Sequence, residues 1–235
     1  MCTLTWHIRS ESYELHFNRD ESRQRPIALA PSIHTQGATR FIAPIDPQAG
    51  GTWIATNEHG LSLCLLNHYA ASLLYRGDTS RGQLVLTLAT SRSIDEVKQT
   101  LAATDLHRFS PFDIVVFQIG KVAVHIRWDG VLKHTSEPKM AFMTSSGYDT
   151  ENVISTRRKA FEHFEGDDLA AFHRSHLPKK SAYSVCMHRE DARTQSYSHI
   201  RVNALSSAFT YVDGPPCQNI PSQTSGITNT TQAHL

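Results

Sequence analysis

The sequence predicts an α+β domain built mostly of antiparallel strands, and three patterns predict it. Short stretches of apolar and polar alternation open the chain at residues 2–9 and 13–19. A second series of such stretches, broken by turn residues, fills residues 113–144. Helical periodicity is confined to two blocks, residues 80–104 and 150–174, each flanked by strand-like segments. Alternation at a period of two marks strands with one dry face, whereas recurrence every three to four residues marks helices. Strand pairs around helix-rich blocks suit a layered packing of sheets and helices.

The first element, residues 2–9, reads Cys-Thr-Leu-Thr-Trp-His-Ile-Arg and places Cys2, Leu4, Trp6 and Ile8 on its apolar parity. In the next, residues 13–19, Tyr13, Leu15 and Phe17 form the apolar parity, and the residue that continues it is Arg19. A guanidinium therefore lies on the dry face. If the two runs form a hairpin, their dry faces must match, which leaves few registers. A two-residue loop at Ser10-Glu11 pairs Ile8 with Tyr13, Trp6 with Leu15, Leu4 with Phe17 and Cys2 with Arg19. A four-residue loop is also open, because the turn lacks an Asn-Gly signal; Arg19 then faces Leu4 and lies diagonal to Cys2. The thiol gains a cation in both registers.

Trimming of Met1 before a small residue would leave the α-amino group of Cys2 beside its own thiol, the arrangement of an N-terminal nucleophile. The thiol has an unperturbed pKa of ~8.5 and the amine one of ~7.7–8.0, so the amine can act as base near neutrality. A fixed Arg19 would lower the thiol pKa, and Asp20 or Glu21 could orient the amine by accepting its hydrogen bond. The plainer reading makes Cys2 a small buried hydrophobe and Asn18-Arg19-Asp20-Glu21 a solvated turn.

Residues 22–52, rich in Pro, Ala, Gly and Gln, predict a loop with at most short strands, which either walls the site or simply connects. Residues 53–56 and 61–67 predict a second hairpin around Asn57-Glu58-His59-Gly60. Leu61, Leu63, Leu65 and Asn67 share one parity of its second strand. A carboxamide ending a leucine face is costly to bury without partners, so Asn67 is a strand-end turn residue or a placed donor. His68 lies on the opposite parity, as a surface or helix-facing residue. Leu84, Val85 and Leu88 predict one helix, and the capping box Ser93-Ile94-Asp95-Glu96, followed by Val97 and Leu101, predicts another.

From residue 113 a meander of four strands is expected at 113–119, 122–128, 131–135 and 140–144, with turns at Gly120-Lys121 and Asp129-Gly130. His125, inside the second of these, has no further ligand at useful spacing and reads as structural. Gly147-Tyr148-Asp149-Thr150 leads into a helix whose apolar stripe is Val153, Ile154, Ala160, Phe161 and Phe164, with Arg157 and Arg158 in its middle. A short helix at 167–173 and closing strands at 183–188, 195–202 and 209–212 follow. The tail, residues 214–235, has almost no large apolar residues and is expected to be disordered or loosely draped.

At 235 residues, 40% hydrophobic and 19% charged, the chain can bury one sizeable core, so a single domain over residues 1–213 is expected. A formal net charge of +1 without long Lys/Arg runs gives no electrostatic case for nucleic acid or a membrane surface. No segment approaches the ~20 apolar residues of a membrane span, and no basic region leads into an apolar stretch at the start, so a cytoplasmic location is expected. Cys2, Cys64, Cys186 and Cys217 are scattered without a Cys-x-x-Cys spacing, which signals neither a disulfide framework nor a zinc site. Oligomeric state is left open.

Cys2, Asn18-Arg19-Asp20-Glu21 followed by Arg25-Pro26, and Gly50-Gly51-Thr52-Trp53 with Asn57, Gly60 and Asn67 together resemble the family named after the Asn-Arg-Asp-Glu motif. It is also called the transport and Golgi organisation protein 2 family. The likeness spans roughly residues 1–213, and the combination is far more specific than any one piece. This family in turn resembles the cysteine branch of the N-terminal-nucleophile hydrolases, which includes penicillin V acylase and bile salt hydrolase.

The resemblance implies a four-layer αββα sandwich, two mostly antiparallel sheets face to face with helices outside each. It implies a cysteine amidohydrolase acting on a small non-peptide carbon–nitrogen amide, without a cofactor. Cys2 would be the nucleophile, its α-amino group the acid and base, Arg19 the thiolate stabiliser, Asp20 the acid partner and Asn67 the oxyanion donor. Arg157 or Arg158, of which Arg157 is nearer the stripe, would match the helix-borne active-site arginine. Two positions depart from the hydrolase pattern. Thr144-Ser145-Ser146 stands where those enzymes carry a second asparagine, and Asp20 follows Arg19 directly where their aspartate comes a few residues later. The alternative that the family implies is a carrier or chaperone for haem or a lipid-related ligand. Cys2, His7, His16, His68 and His125 are then candidate haem ligands, although no haem-attachment motif is present.

Overall fold

In a computed structural model, which describes residues 1–69, 76–164 and 168–230, the opening hairpin takes the two-residue loop. Strand β1 (Cys2–Ile8) pairs with β2 (Ser12–Ser22) so that Ile8 meets Tyr13, Trp6 meets Leu15, Leu4 meets Phe17 and Cys2 meets Arg19. The Arg9 amide donates to the Ser12 carbonyl at 2.8 Å and closes the turn. Matching the dry faces excludes a one-residue slip, which would turn Trp6 and Leu15 outward, and of the two registers it leaves open the structure takes the one that sets Cys2 against Arg19.

Thirteen strands among the described residues form two antiparallel sheets. The first has the order β10-β1-β2-β11-β12-β13, with β10 (Phe142–Ser145), β11 (Ala192–Asn203), β12 (Ser206–Val212) and β13 (Ser222–Thr228). The second runs β3 (Leu29–Gln36), β4 (Thr39–Ile45), β5 (Ile54–Asn57), β6 (Leu61–Asn67), β7 (Phe112–Gln118), β8 (Val124–Trp128) and β9 (Lys133–Ser136) in chain order. The sheets face each other across an apolar core in which Leu4, Trp6, Leu15 and Phe17 meet Ile42, Ile54, Cys64 and Phe117.

Helices α1 (Arg81–Leu88) and α2 (Ile94–Ala103) cover the outer face of the second sheet. Their Leu84, Val85, Leu88, Val97 and Leu101 pack on Leu61, Leu63, Ile114 and Val116. The Ser93 side chain caps α2 by accepting from the Glu96 amide, as the capping box requires. On the outer face of the first sheet lie α3 (Thr150–Glu162) and α4 (Leu169–Arg174), where Phe161, Phe164 and Phe172 cluster with Phe142. The four layers are thus helices, sheet, sheet, helices. Strands between two dry layers must be apolar on both faces, and β6 is buried from Leu61 through Leu66.

Several expectations are corrected. Residues 22–52 contain the β3–β4 hairpin; Pro31 does not prevent it because β3 is an edge strand, where a missing amide donor costs no ladder bond. The meander ends at β9, whose residues are all exposed, and β10 crosses to the first sheet, where Phe142 is buried against Phe172. Residues 183–188 form an irregular segment, not a strand. Side chains satisfy carbonyls in it and just before it, Asn18 donating to Val185 and Arg157 to Ala182. Within the described residues 214–230 the tail is not loose: β13 pairs along all of β12, and Ile227 enters the core between the sheets. An edge strand is held by backbone pairing, so it needs few large apolar residues. Of the short helix expected at 167–173, Asp167 lies outside the described residues. Among the described residues no helix is long and apolar enough to cross a membrane.

Candidate active site

Cys2 opens β1 between two neighbours, its Cα paired with Arg19 of β2 on one side and Ser145 of β10 on the other. All three side chains share the face that looks toward the second sheet. Here a cavity of about 140 Å³ is lined by Met1, Cys2, Arg19, Asp46, Trp53 and Asn67, among others. Burial pushes the Cys2 thiol above its ordinary value, against the opposing pull of the N-terminal cation and Arg19.

Arg19 is 6% exposed. Its Nη2 donates to Asp46 Oδ2 at 3.0 Å, and its guanidinium sits 4.3 Å from the centroid of the Trp53 ring. The same Asp46 oxygen accepts from Arg25 Nε at 2.7 Å, while Glu21 lies 3.8 Å from Arg19 and 3.7 Å from Arg25. Asp46 is held by its own turn, Oδ1 accepting from the amides of Gln48 and Ala49. Burial works to raise the Asp46 pKa, but the hydrogen bond and charge of Arg25, the charge of Arg19 and the Gln48 amide together hold it below the usual carboxylate range. Sequence reasoning did not find Asp46. The available signal was Arg19 itself, since a buried guanidinium demands a carboxylate.

In Gly50-Gly51-Thr52-Trp53 the second glycine has a packing role. A Cβ on Gly51 would collide with the Gly82 carbonyl carbon, so only glycine lets this link between β4 and β5 approach the first turn of α1. The Thr52 amide donates to the Gly82 carbonyl at 3.1 Å, which brings Ser80, Arg81 and Gly82 to the cavity wall. Arg81 Nη1 donates to the Pro111 carbonyl at 2.9 Å.

Met1 occupies one end of the cavity. Its amine donates to the Asp20 carbonyl at 3.0 Å and to the Tyr69 hydroxyl at 3.4 Å, and its sulfur accepts from the Ser146 hydroxyl. Burial opposes the charge on this amine, but Tyr69, Cys2, Asp20 and Glu21 favour it and raise its pKa to about 10. Asn67 Nδ2 donates to the same Tyr69 hydroxyl at 2.9 Å. Ser145 Oγ is buried and has no hydrogen-bond partner among the described residues.

Asp20 and Arg157 are placed elsewhere than the expectation had them. Consecutive strand residues point to opposite faces, so Arg19 and Asp20 cannot both face Cys2. The Asp20 carboxylate lies under the sheet, where Oδ2 accepts from Arg157 Nη1 at 2.9 Å and Oδ1 from the Thr194 hydroxyl at 2.7 Å. It is the Asp20 backbone carbonyl, not the side chain, that accepts from the N-terminal amine. Arg157, fully buried, also donates to the Thr3 hydroxyl at 2.8 Å and does not line the cavity. Arg158 is exposed. Asn18 shares the lower face, donating to the carbonyls of His173 and Val185. The Asn-Arg-Asp-Glu motif therefore divides by parity: Asn18 and Asp20 anchor the helical layer, while Arg19 and Glu21 face the cavity.

His68 and His125 converge on Asp113, at 3.2 Å and 2.6 Å, together with Arg127 at 2.7 Å. Burial raises the Asp113 pKa, but these three partners outweigh it and hold the carboxyl well below its usual range. His7 contacts Glu14 at 3.4 Å, and His16 contacts the Tyr197 hydroxyl at 2.6 Å. Among the described residues no histidine lines the cavity with Cys2. Two groups have metal-ligand chemistry, both away from the cavity: Glu14, His16 and His199, and His176, Cys186, His188 and Cys217.

The family model described as Transport and Golgi organisation 2 matches residues 1–214. No curated protein sequence matches the chain. Among solved structures, penicillin V acylase from Agrobacterium tumefaciens is similar with a TM-score of 0.57 at 9% identity, covering 96% of this chain and 86% of that one. A mutant conjugated bile acid hydrolase from Clostridium perfringens has a TM-score of 0.56 at 13% identity, covering 97% and 92%. The Caenorhabditis elegans orthologue of N-acylethanolamine-hydrolyzing acid amidase has a TM-score of 0.57 at 10% identity, covering 85% and 92%. These likenesses establish the fold, an α+β sandwich of the N-terminal-nucleophile hydrolase type.

Proposed function

The chain belongs to the Transport and Golgi organisation 2 family, and from that premise we propose that it is a cysteine N-terminal-nucleophile hydrolase cleaving a small non-peptide carbon–nitrogen amide. The observation that carries this reading is the pairing of Cys2 with Arg19 at the wall of a cavity that Met1 partly fills. Excision of Met1 would free the Cys2 α-amino group and vacate space beside the thiol.

In the resulting mechanism the amine takes the thiol proton, and the thiolate, held by Arg19, attacks the amide carbonyl carbon. The carbon–sulfur bond forms and charge moves to the carbonyl oxygen, to which the Asn67 carboxamide would donate. Tyr69, which Asn67 now contacts, would yield that donor. The ammonium then protonates the leaving nitrogen, the carbon–nitrogen bond breaks, and a thioester remains. Water, deprotonated by the amine, attacks the thioester and releases a carboxylic acid and the regenerated thiol. Ser145, buried beside Cys2 with an unused hydroxyl, is a further candidate to hold the amine or the thiol. Asp20 and Arg157 would act through β2, by fixing the strand that carries Arg19.

With Met1 in place the cavity holds about 140 Å³, below the ~300–1,000 Å³ of clefts for drug-sized ligands, and it accommodates a scissile amide with a short acyl group; excision of Met1 would enlarge it. Intact-mass measurement should find Met1 removed. Incubation with an acyl-amide panel and an electrophilic acyl trap should give turnover and a single adduct on Cys2, both lost in Cys2→Ala. Retention of Met1 in protein that still hydrolyses amides would end this reading. Saturable haemin binding that depends on Cys2, without hydrolysis, would transfer the case to the carrier.

A further inference from the structure

We propose that His176, Cys186, His188 and Cys217 form a structural zinc site, independent of the Cys2 cavity and of any hydrolytic role. Their four ligand atoms lie within 4.8 Å of one another. His188 Nε2 is 3.2 Å from His176 Nε2, 3.6 Å from Cys186 Sγ and 3.4 Å from Cys217 Sγ. A tetrahedral zinc with bonds of ~2.0–2.1 Å to nitrogen and ~2.3 Å to sulfur sets its ligands ~3.3 Å apart for a nitrogen pair and ~3.6 Å for nitrogen and sulfur. The three separations match those edges.

Hydrogen bonding does not account for this convergence. The Nε2 of a neutral imidazole is either one donor or one acceptor, yet three ligand atoms crowd it at contact distance. Two thiols and two imidazoles form a borderline-soft set that suits zinc in tetrahedral geometry, and four protein ligands leave no open position for a substrate. Binding would release the two thiol protons, and two thiolates would neutralise the dication.

The placement gives the metal a structural task. His176 follows the C-terminus of α4, Cys186 and His188 lie on the irregular segment before β11, and Cys217 lies on the link from β12 to β13. The Cys186 and His188 segment has no strand ladder beyond one bridge from His188 to Arg193. Its Ala182 and Val185 carbonyls receive Arg157 and Asn18. A metal here would staple that segment to the sheet-edge link and to the end of α4, and so support the buried groups under β2. The sequence hides the site because its spacing, Cys186-x-His188 with one ligand far on either side, follows no common zinc motif.

The test is elemental analysis of the full untagged chain purified without chelator. One zinc per chain is expected in wild type and in Cys64→Ala, with less than a tenth of that in Cys217→Ser and in His176→Gln. If those two variants do not fold, wild type decides: stripped by chelator and given Co(II), it should develop the visible bands of tetrahedral cobalt and thiolate charge transfer in the near ultraviolet. Zinc-free wild type that develops no cobalt spectrum would overturn the proposal. So would a Cys186–Cys217 disulfide in the untreated protein, or zinc content unchanged in both variants.

Discussion

Arg19 meets two demands, and they can be separated by experiment. It neutralises part of a buried cluster with Asp46, Arg25 and Glu21, and it stands across β1–β2 from the Cys2 thiol. Arg19→Leu leaves Asp46 with Arg25, so the stability loss should fall below the ~3–5 kcal/mol of stranding a buried charge. The thiol should respond more clearly. Burial already raises the Cys2 pKa and Arg19 opposes that rise, so the substitution should move the pH profile of iodoacetamide alkylation at Cys2 to higher pH. Alkylation and urea unfolding on the same Met1-processed protein check this, and an unmoved profile would make Cys2 a packing residue. At this scale half of the cluster was legible: parity put Arg19 on the dry face opposite Cys2, whereas Asp46 arrives from a different hairpin through a turn of its own.

Among the elements, α3 is joined to the first sheet by a buried ion pair in addition to the packing of Phe161 on Phe142. Arg157 and Asp20 are both fully desolvated at 2.9 Å, and Arg157 draws in Thr3 of β1 and the carbonyl of Ala182. Arg157→Ala should cost about 3–5 kcal/mol by leaving Asp20 charged and unpaired. The double change Arg157→Met with Asp20→Asn should recover much of that loss, because no uncompensated charge remains. Denaturant unfolding of wild type, single and double variants is the measurement; a double variant no more stable than the single would assign the loss to packing. The helix itself was readable from its apolar stripe. That its arginine would bond Asp20 from beneath, and not enter the Cys2 cavity, follows from strand parity at Arg19 and Asp20 once the helix is known to cover the opposite face.

For the molecule as a whole, acid sensitivity should come from histidines sealed between the first sheet and α4. Burial, with His173 and His199 adding to it, lowers the His16 pKa to about 2. Burial, with Arg157 and His199, lowers that of His173 to about 3. The rings stack at 5.8 Å, and His173 Nε2 contacts the Thr5 hydroxyl at 2.9 Å. Both folded values lie below the unfolded ~6.5, so the unfolded chain binds protons first. Their stabilisation is complete above that pH and is lost as pH falls, by up to about 1.4 kcal/mol per pH unit for each histidine. Unfolding free energies between pH 7.5 and pH 4.5 should decline accordingly, and His16→Gln should flatten the slope by one histidine's share. An unchanged slope would place the acid sensitivity elsewhere. What the sequence by itself determined about this protein is what alternation and caps encode locally: the α+β class, a first hairpin limited to two registers, the helix begun at Ser93, and Cys2 sharing a face with Arg19. Only the tertiary structure decided that β10 leaves the meander for β1, that the polar tail adds β13 as an edge strand, that Asp46 meets Arg19, and that Cys186 and Cys217 meet at His188. Side-chain direction follows from backbone geometry within a few residues, whereas these meetings depend on how whole layers stack, and spacing along the chain carries no measure of that distance.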